Sequence, residues 1–265
     1  MNHHELSSSG IAYTVKGEGE PVVFLHGFCG SRHYFKSVAA SLEPHYNAYY
    51  IDLPGHGDSK PMQYHTLEDY VEQLHKWKLE LGLGKITLIG HSLGGYLTLA
   101  YAERYPEHVL GFGLIHSTAF PDSDEGKEGR EKAIRTIQKE GIEPFVESLV
   151  PKLFDKEFAK THPKIVKRAL DIAYKTDAKQ AIRFLRAMRD RKDRRRIVTE
   201  TTFPQLLVAG ETDEVVPSYK MFIGESKQAT EKVIEDAAHM SMYEQPDKLS
   251  DILKEWLNSL YVIQR

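Results

Sequence analysis

The segment Ile86-Thr87-Leu88-Ile89-Gly90-His91-Ser92-Leu93-Gly94-Gly95-Tyr96-Leu97 carries the reading of the fold. Its first four residues are apolar, β-branched or leucine, and too few for a core helix. They read as a strand buried on both faces. From Leu93 onward the apolar residues recur at helical spacing, through Tyr96, Leu97, Ala100 and Tyr101, until Pro106 stops the pattern. Between strand and helix stands a serine with glycine two residues before it and two after. A turn that tight lifts the Ser92 hydroxyl above the sheet, and a side chain at Gly90 or Gly94 would collide with neighbouring backbone. The helix start just beyond presents free N–H groups to developing negative charge.

The same strand–helix rhythm extends in both directions. Val22–Leu25, Ala48–Ile51, Gly113–Ile115, Leu206–Ala209 and Lys232–Ile234 are further short runs, each ending at a glycine, histidine or acidic residue. They are expected to be strands buried on both faces, with Ile11–Val15 as an extra strand at the edge. Leu67, Tyr70, Val71, Leu74, Trp77 and Leu81 define a helix, with Thr66 and Asp69 spaced as a capping box. Alternation of this kind predicts an α/β architecture, a parallel sheet with helices on both faces. Ligands of such sheets bind at the carboxyl ends of the strands. From Phe120 to Thr202 the rhythm breaks. This stretch is rich in charge, and Ile134/Ile137, Phe145/Leu149, Ile165/Leu170 and Ile182/Leu185/Met188 mark about four amphipathic helices. It reads as an all-helical cap (120–202) inserted into a core made of 1–119 and 203–265.

Composition narrows the classes. A chain of 265 residues, 41% hydrophobic, is long enough to bury a core of its own. A formal charge of −3 argues against bulk binding to nucleic acid or to an acidic membrane surface. A single cysteine, Cys29, allows no internal disulfide and fits a reducing compartment. Met1 to Ser7 lacks the basic start and apolar stretch of a secretory signal, and no apolar run approaches the roughly 18 residues of a membrane span. The expectation is a cytoplasmic protein without a membrane anchor. The oligomeric state stays open.

A serine hydroxyl needs a base, and the base needs an orienting acid. Asp213, in Gly210-Glu211-Thr212-Asp213, follows a late strand, and His239, in Asp236-Ala237-Ala238-His239-Met240, follows the last one. Glu211 and Glu214 compete with Asp213 for the orienting role. Two preorganised donors must hold the oxyanion that forms when a carbonyl is attacked. The N–H of Leu93 is one candidate. The N–H of Phe28, in the turn His26-Gly27-Phe28-Cys29-Gly30, is the other.

In these motifs, taken in order with Asp52-Leu53-Pro54-Gly55-His56-Gly57-Asp58-Ser59, the chain resembles the α/β-hydrolase superfamily from about Gly10 to its last helix. The resemblance implies an eight-stranded, mostly parallel sheet with a lid after the sixth strand. It implies a serine hydrolase, carboxylesterase-like, cleaving small-molecule esters or related acyl compounds without metal or organic cofactor. Haloalkane dehalogenases and epoxide hydrolases of this superfamily carry aspartate where Ser92 stands, so acyl transfer is the expected chemistry. A carbon–carbon bond hydrolase, a cofactor-free perhydrolase and a slow-turnover ligand receptor share the same residues. Cys29, His116, Val215 and Met240 are expected to line the substrate pocket. His56 is expected to hold its own loop, and His91 to pack under the serine turn. Eight basic residues between Arg183 and Arg196 read as a solvated helix end, or as a rim attracting acidic substrates such as acyl-CoA.

Overall fold

The computed structural model describes residues 3–42, 45–224 and 228–262. Eight strands form one sheet: β1 (His3–Leu6), β2 (Ala12–Lys16), β3 (Pro21–Leu25), β4 (Asn47–Ile51), β5 (Ile86–His91), β6 (Val109–Ile115), β7 (Gln205–Gly210) and β8 (Ala229–Ile234). Their order across the sheet is β1-β2-β4-β3-β5-β6-β7-β8. The β1/β2 and β2/β4 pairs are antiparallel, and every pair from β4 to β8 is parallel.

The helices outside the β6–β7 connection cover both faces. Those that precede the connection are α1 (Lys36–Leu42), α2 (Leu67–Glu80) and α3 (Leu93–Arg104). Alternation along the central strands explains the layering. Val23, Leu25 and Leu88 join Leu74, Trp77 and Leu97 of α2 and α3 in one apolar layer. Val22, Phe24 and Ile89 point the other way, toward Val38 of α1 and toward Leu253 and Trp256 in the C-terminal helix. The expected capping box starts α2: Asp69 N–H donates to Thr66 Oγ1, and Thr66 N–H donates to Asp69.

Between β6 and β7 lie only helices among the described residues: α4 (Asp124–Glu140), α5 (Ile142–Leu149), α6 (Lys156–Thr161), α7 (Pro163–Ala173), α8 (Ala178–Arg189) and α9 (Arg195–Thr199). The expected pairs Ile134/Ile137, Phe145/Leu149 and Leu185/Met188 fall on α4, α5 and α8. After β7 come α10 (Ser218–Met221), α11 (Ser241–Glu244) and α12 (Pro246–Val262). Among the described residues no helix is long and apolar enough to cross a membrane.

Two strand expectations need correction. The run at Ile11–Val15 is not the edge, because β1 pairs outside it. His3-His4-Glu5-Leu6 has no apolar run to reveal that strand. The run at Lys232–Ile234 belongs to β8, which is an edge strand, and Val233 is 49% exposed rather than buried.

Candidate active site

The carboxyl edge of the parallel sheet gathers the predicted residues. Phe28 follows β3, Ser92 follows β5, His116 follows β6, Asp213 follows β7 and His239 follows β8. Ser92 has φ 51° and ψ −114°, a left-handed backbone that costs roughly 1–3 kcal/mol for a residue with a side chain. The packing around it enforces that conformation. A Cβ on Gly94 would lie 2.1 Å from the Leu25 carbonyl oxygen, and one on Gly90 would lie 2.4 Å from the backbone of Gly94. The serine turn is thus pressed against β3 by backbone alone. The Ser92 side chain makes no cap bond to α3. It lines a chamber of about 70 Å³ together with His239, His91 and Phe28.

His239 Nδ1 donates to Asp213 Oδ2 at 2.9 Å, which leaves Nε2 as the nitrogen free to act as base. The other carboxylate oxygen, Oδ1, accepts the backbone N–H groups of Val215 (2.8 Å) and Val216 (2.9 Å). Burial by itself would raise the Asp213 pKa. Electrostatic attraction to the His239 ring, with hydrogen bonds from His116 and His239, outweighs it and holds the group well below the usual carboxylate range. The two competing acids are engaged elsewhere. Glu214 pairs with Lys156 at 2.9 Å, and Glu211 accepts the N–H of Asp236.

The segment carrying His239 is tied down on three sides. Glu244, buried, accepts the N–H groups of Ala238 (3.0 Å) and Met240 (3.1 Å) on Oε2 and that of Asp155 (2.6 Å) on Oε1. His239 N–H donates to the Leu153 carbonyl at 3.0 Å. Its own carbonyl accepts from His91 Nε2 at 2.9 Å. Burial drives the His91 pKa well below its ordinary value, so the ring is neutral and its proton sits on this bond.

The Phe28 turn is braced by two more neutral imidazoles. His26 Nδ1 donates to the Gly27 carbonyl and its Nε2 accepts from Leu53 N–H. His56 Nδ1 donates to the Pro54 carbonyl and its Nε2 accepts from Cys29 N–H. Burial lowers them to about 4 and about 3. A buried ion pair closes the same loop. Asp52 takes the Arg32 guanidinium, the Arg32 N–H (2.7 Å) and the Asp58 N–H (2.9 Å).

Three of the four residues expected to line the pocket are placed otherwise. Cys29 is 1% exposed, its thiol sits beside Thr176, and burial raises it to about 12. Met240 is fully buried in the apolar layer under α12. His116, also fully buried, donates from Nδ1 to Asp213 Oδ2 at 3.1 Å, while its Nε2 meets Ser241 Oγ at 2.7 Å. It is a second imidazole on the acid, not a wall of the substrate space. Val215 does line the chamber. His116, Asp213 and His239 bring ligand-type atoms within 4.8 Å of one another. Both Nδ1 protons already point at the shared oxygen, so no lone pair on those nitrogens faces a cation.

Above the chamber opens a cavity of about 770 Å³, a size suited to a small organic ligand. Phe28, Phe145, Leu149, Val215 and Val216 form its apolar walls. The basic run after Arg183 is largely neutralised by ion pairs. Arg189 pairs with Glu131 and Asp190, Arg194 with Glu68 and Glu103, Arg195 with Asp193, and Arg196 with Glu200. It forms no continuous rim.

Residues 20–139 match the family model described as alpha/beta hydrolase fold. The structure of a thermophilic esterase from Thermogutta terrifontis, solved with malate bound, superposes with a TM-score of 0.89 at 26% identity, covering 98% of this chain and 99% of that one. The chain belongs to the α/β-hydrolase superfamily. This α/β hydrolase is 27% identical over 277 residues to the proline iminopeptidase of Saccharolobus solfataricus, covering 94% of this chain and 88% of that protein. It is 35% identical over 107 residues to the 1-acylglycerol-3-phosphate O-acyltransferase ABHD5 of Sus scrofa, a match that spans 38% of the chain and 31% of that relative. Its relatives thus include hydrolases of esters and of peptides.

Proposed function

We propose that this α/β hydrolase cleaves carboxylic esters through an acyl-enzyme on Ser92, with His239 as general base and Asp213 as its orienting acid. The observation that carries the reading is the His239–Asp213 couple, at 2.9 Å, opening onto the same small chamber as a serine held at positive φ. In the first step His239 Nε2 takes the Ser92 proton as Oγ attacks the carbonyl carbon. The N–H groups of Phe28 and Leu93 receive the oxyanion, and His239 then hands its proton to the leaving alkoxide. In the second step the same nitrogen deprotonates water, which attacks the acyl carbon, and the imidazolium then returns its proton to Ser92 Oγ as the acyl carbon–oxygen bond breaks and the carboxylic acid leaves. Asp213 stays ionised throughout and stabilises the imidazolium that forms twice. No cofactor takes part, because the chain's own groups supply nucleophile, base and oxyanion donors.

The helices between 120 and 202 act in this proposal as a cap, with 1–119 and 203–265 as the core. Phe145 and Leu149 of α5 line the cavity above Ser92, which favours a modest apolar acyl or alkyl group. Hydrolysis of p-nitrophenyl butyrate tests the reading. Ser92→Ala should remove nearly all turnover, and His239→Ala should lower kcat by about 10²–10⁴. Wild-type rates in Ser92→Ala would overturn it.

A further inference from the structure

Arg130, on α4, is the charged side chain that lines both the small chamber at Ser92 and the large cavity above it. Its Nε donates to Asp122 at 3.1 Å. Among the described residues no other hydrogen bond or ion pair engages its guanidinium, so the edge formed by Nη1 and Nη2 is unspent. Arg191 is the contrast. It is also bound to Asp122, and it is further held by the carbonyls of Phe120 and Met188 and lies 4.2 Å over the Tyr96 ring. One nearly buried carboxylate is therefore shared by two guanidiniums, which leaves a net charge of about +1 at the wall. Arg191 spends its Nε and Nη1 donors on the protein and stacks on Tyr96, whereas Arg130 spends Nε alone and keeps both terminal nitrogens at the cavity wall.

We infer that the ester taken at Ser92 carries a carboxylate, bound by the free edge of Arg130. This deepens the esterase reading and rests on it. Two parallel N–H donors match the two oxygens of a carboxylate, and the apolar walls at Phe145 and Leu149 accept the chain between that carboxylate and the scissile carbonyl. Asp122 fixes the guanidinium from behind through Nε, so little side-chain freedom is lost when the ligand docks. Arg130 is a specificity residue in this account. It takes no proton and bonds to no reacting atom.

The test compares monomethyl adipate with methyl hexanoate by pH-stat. The pair shares a leaving group and nearly shares a chain length. The wild type should prefer the hemi-ester in kcat/KM by roughly ten- to hundredfold, the range of a charge-assisted hydrogen bond. Arg130→Gln should cut that ratio by a similar factor, mainly through KM, and Arg130→Lys should restore part of it. A ratio near one in the wild type, or a ratio unmoved by Arg130→Gln, overturns the inference while leaving the esterase reading intact. Methyl 4-phosphonobutyrate supplies the phosphate-like arm, and its preference over the hemi-ester would overturn the carboxylate assignment. Binding of monomethyl adipate to Ser92→Ala, followed by calorimetry, separates the two claims. Binding lost in Ser92→Ala/Arg130→Gln, with no turnover of either ester by the wild type, would keep the carboxylate site and remove the esterase reading.

Discussion

Replacing His116 tests the arrangement around the acid, because that ring supplies one of the two side-chain donors on Asp213 Oδ2. His116→Phe keeps the ring shape and removes both hydrogen bonds. Loss of a bond to a buried carboxylate costs roughly 1.5–3 kcal/mol, and a stranded Ser241 hydroxyl adds about 1–3 kcal/mol. A destabilisation of about 3–5 kcal/mol is expected in urea titrations, a large share of the stability of an ordinary domain. Activity should change in a diagnostic way. With one donor gone, Asp213 loses one of the hydrogen bonds that hold its carboxyl well below the usual range and fix its position under His239. A loosened acid orients the base less well, and kcat for a neutral ester should fall by about tenfold, the factor that 1.36 kcal/mol represents. His116→Asn should restore most of the wild-type rate, because its amide places a donor near the position of Nδ1 and asparagine accepts the φ of 49° found here. A His116→Phe protein with the wild-type kcat and unchanged stability would refute the reasoning.

Other consequences follow from the same network. Glu244→Gln replaces an acceptor of three N–H groups by a side chain with one acceptor oxygen, so the His239 segment should loosen. A stability loss of about 1–3 kcal/mol and a drop in kcat of up to about a hundredfold are expected, with KM moved less, as steady-state kinetics would report. Gly94→Ala drives a Cβ onto the Leu25 carbonyl, a backbone atom that cannot swing away, and should cost about 3 kcal/mol or more in a thermal melt. His26, His56, His91 and His116 all have pKa values lowered by burial. The unfolded chain takes up protons at these rings below about pH 6.5, whereas the folded chain does not, so stability should fall as pH drops from 6.5 toward 4. Each fully resistant ring contributes at most about 1.4 kcal/mol per pH unit, and a flat denaturation midpoint between pH 7 and 5 would contradict the neutral assignment.

Local spacing made the central strands and the serine turn legible, because both depend on neighbours in the chain. Val22–Leu25 is apolar at every position and Ile86–Ile89 at all but Thr87, as suits strands covered on both faces. Gly90 and Gly94 mark a turn that no larger residue permits. The edges were not legible. β1 has no apolar run, and β8 reads as apolar only at its end, since an edge strand needs to hide one face alone. The supporting contacts of the site were hidden for a different reason. His116 reaches Asp213 across 97 residues of chain, and His91 reaches His239 across 148. Nothing in the surroundings of either histidine announces a partner so distant. The same holds for Arg130, which sits in the charged helix Asp124–Glu140 and differs from its neighbours only in the cavity it faces. The basic run after Arg183 is dense in sequence, yet ion pairs consume most of it.

The account stands on Ser92 Oγ being activated by His239. Mass mapping after reaction with a fluorophosphonate measures this directly, since the reagent bonds only to an activated hydroxyl. A single adduct on the peptide containing Ser92 is expected, absent in Ser92→Ala and formed about 10²–10⁴ times more slowly in His239→Ala. An adduct on another residue, or labelling of Ser92 at the same rate without His239, would contradict it.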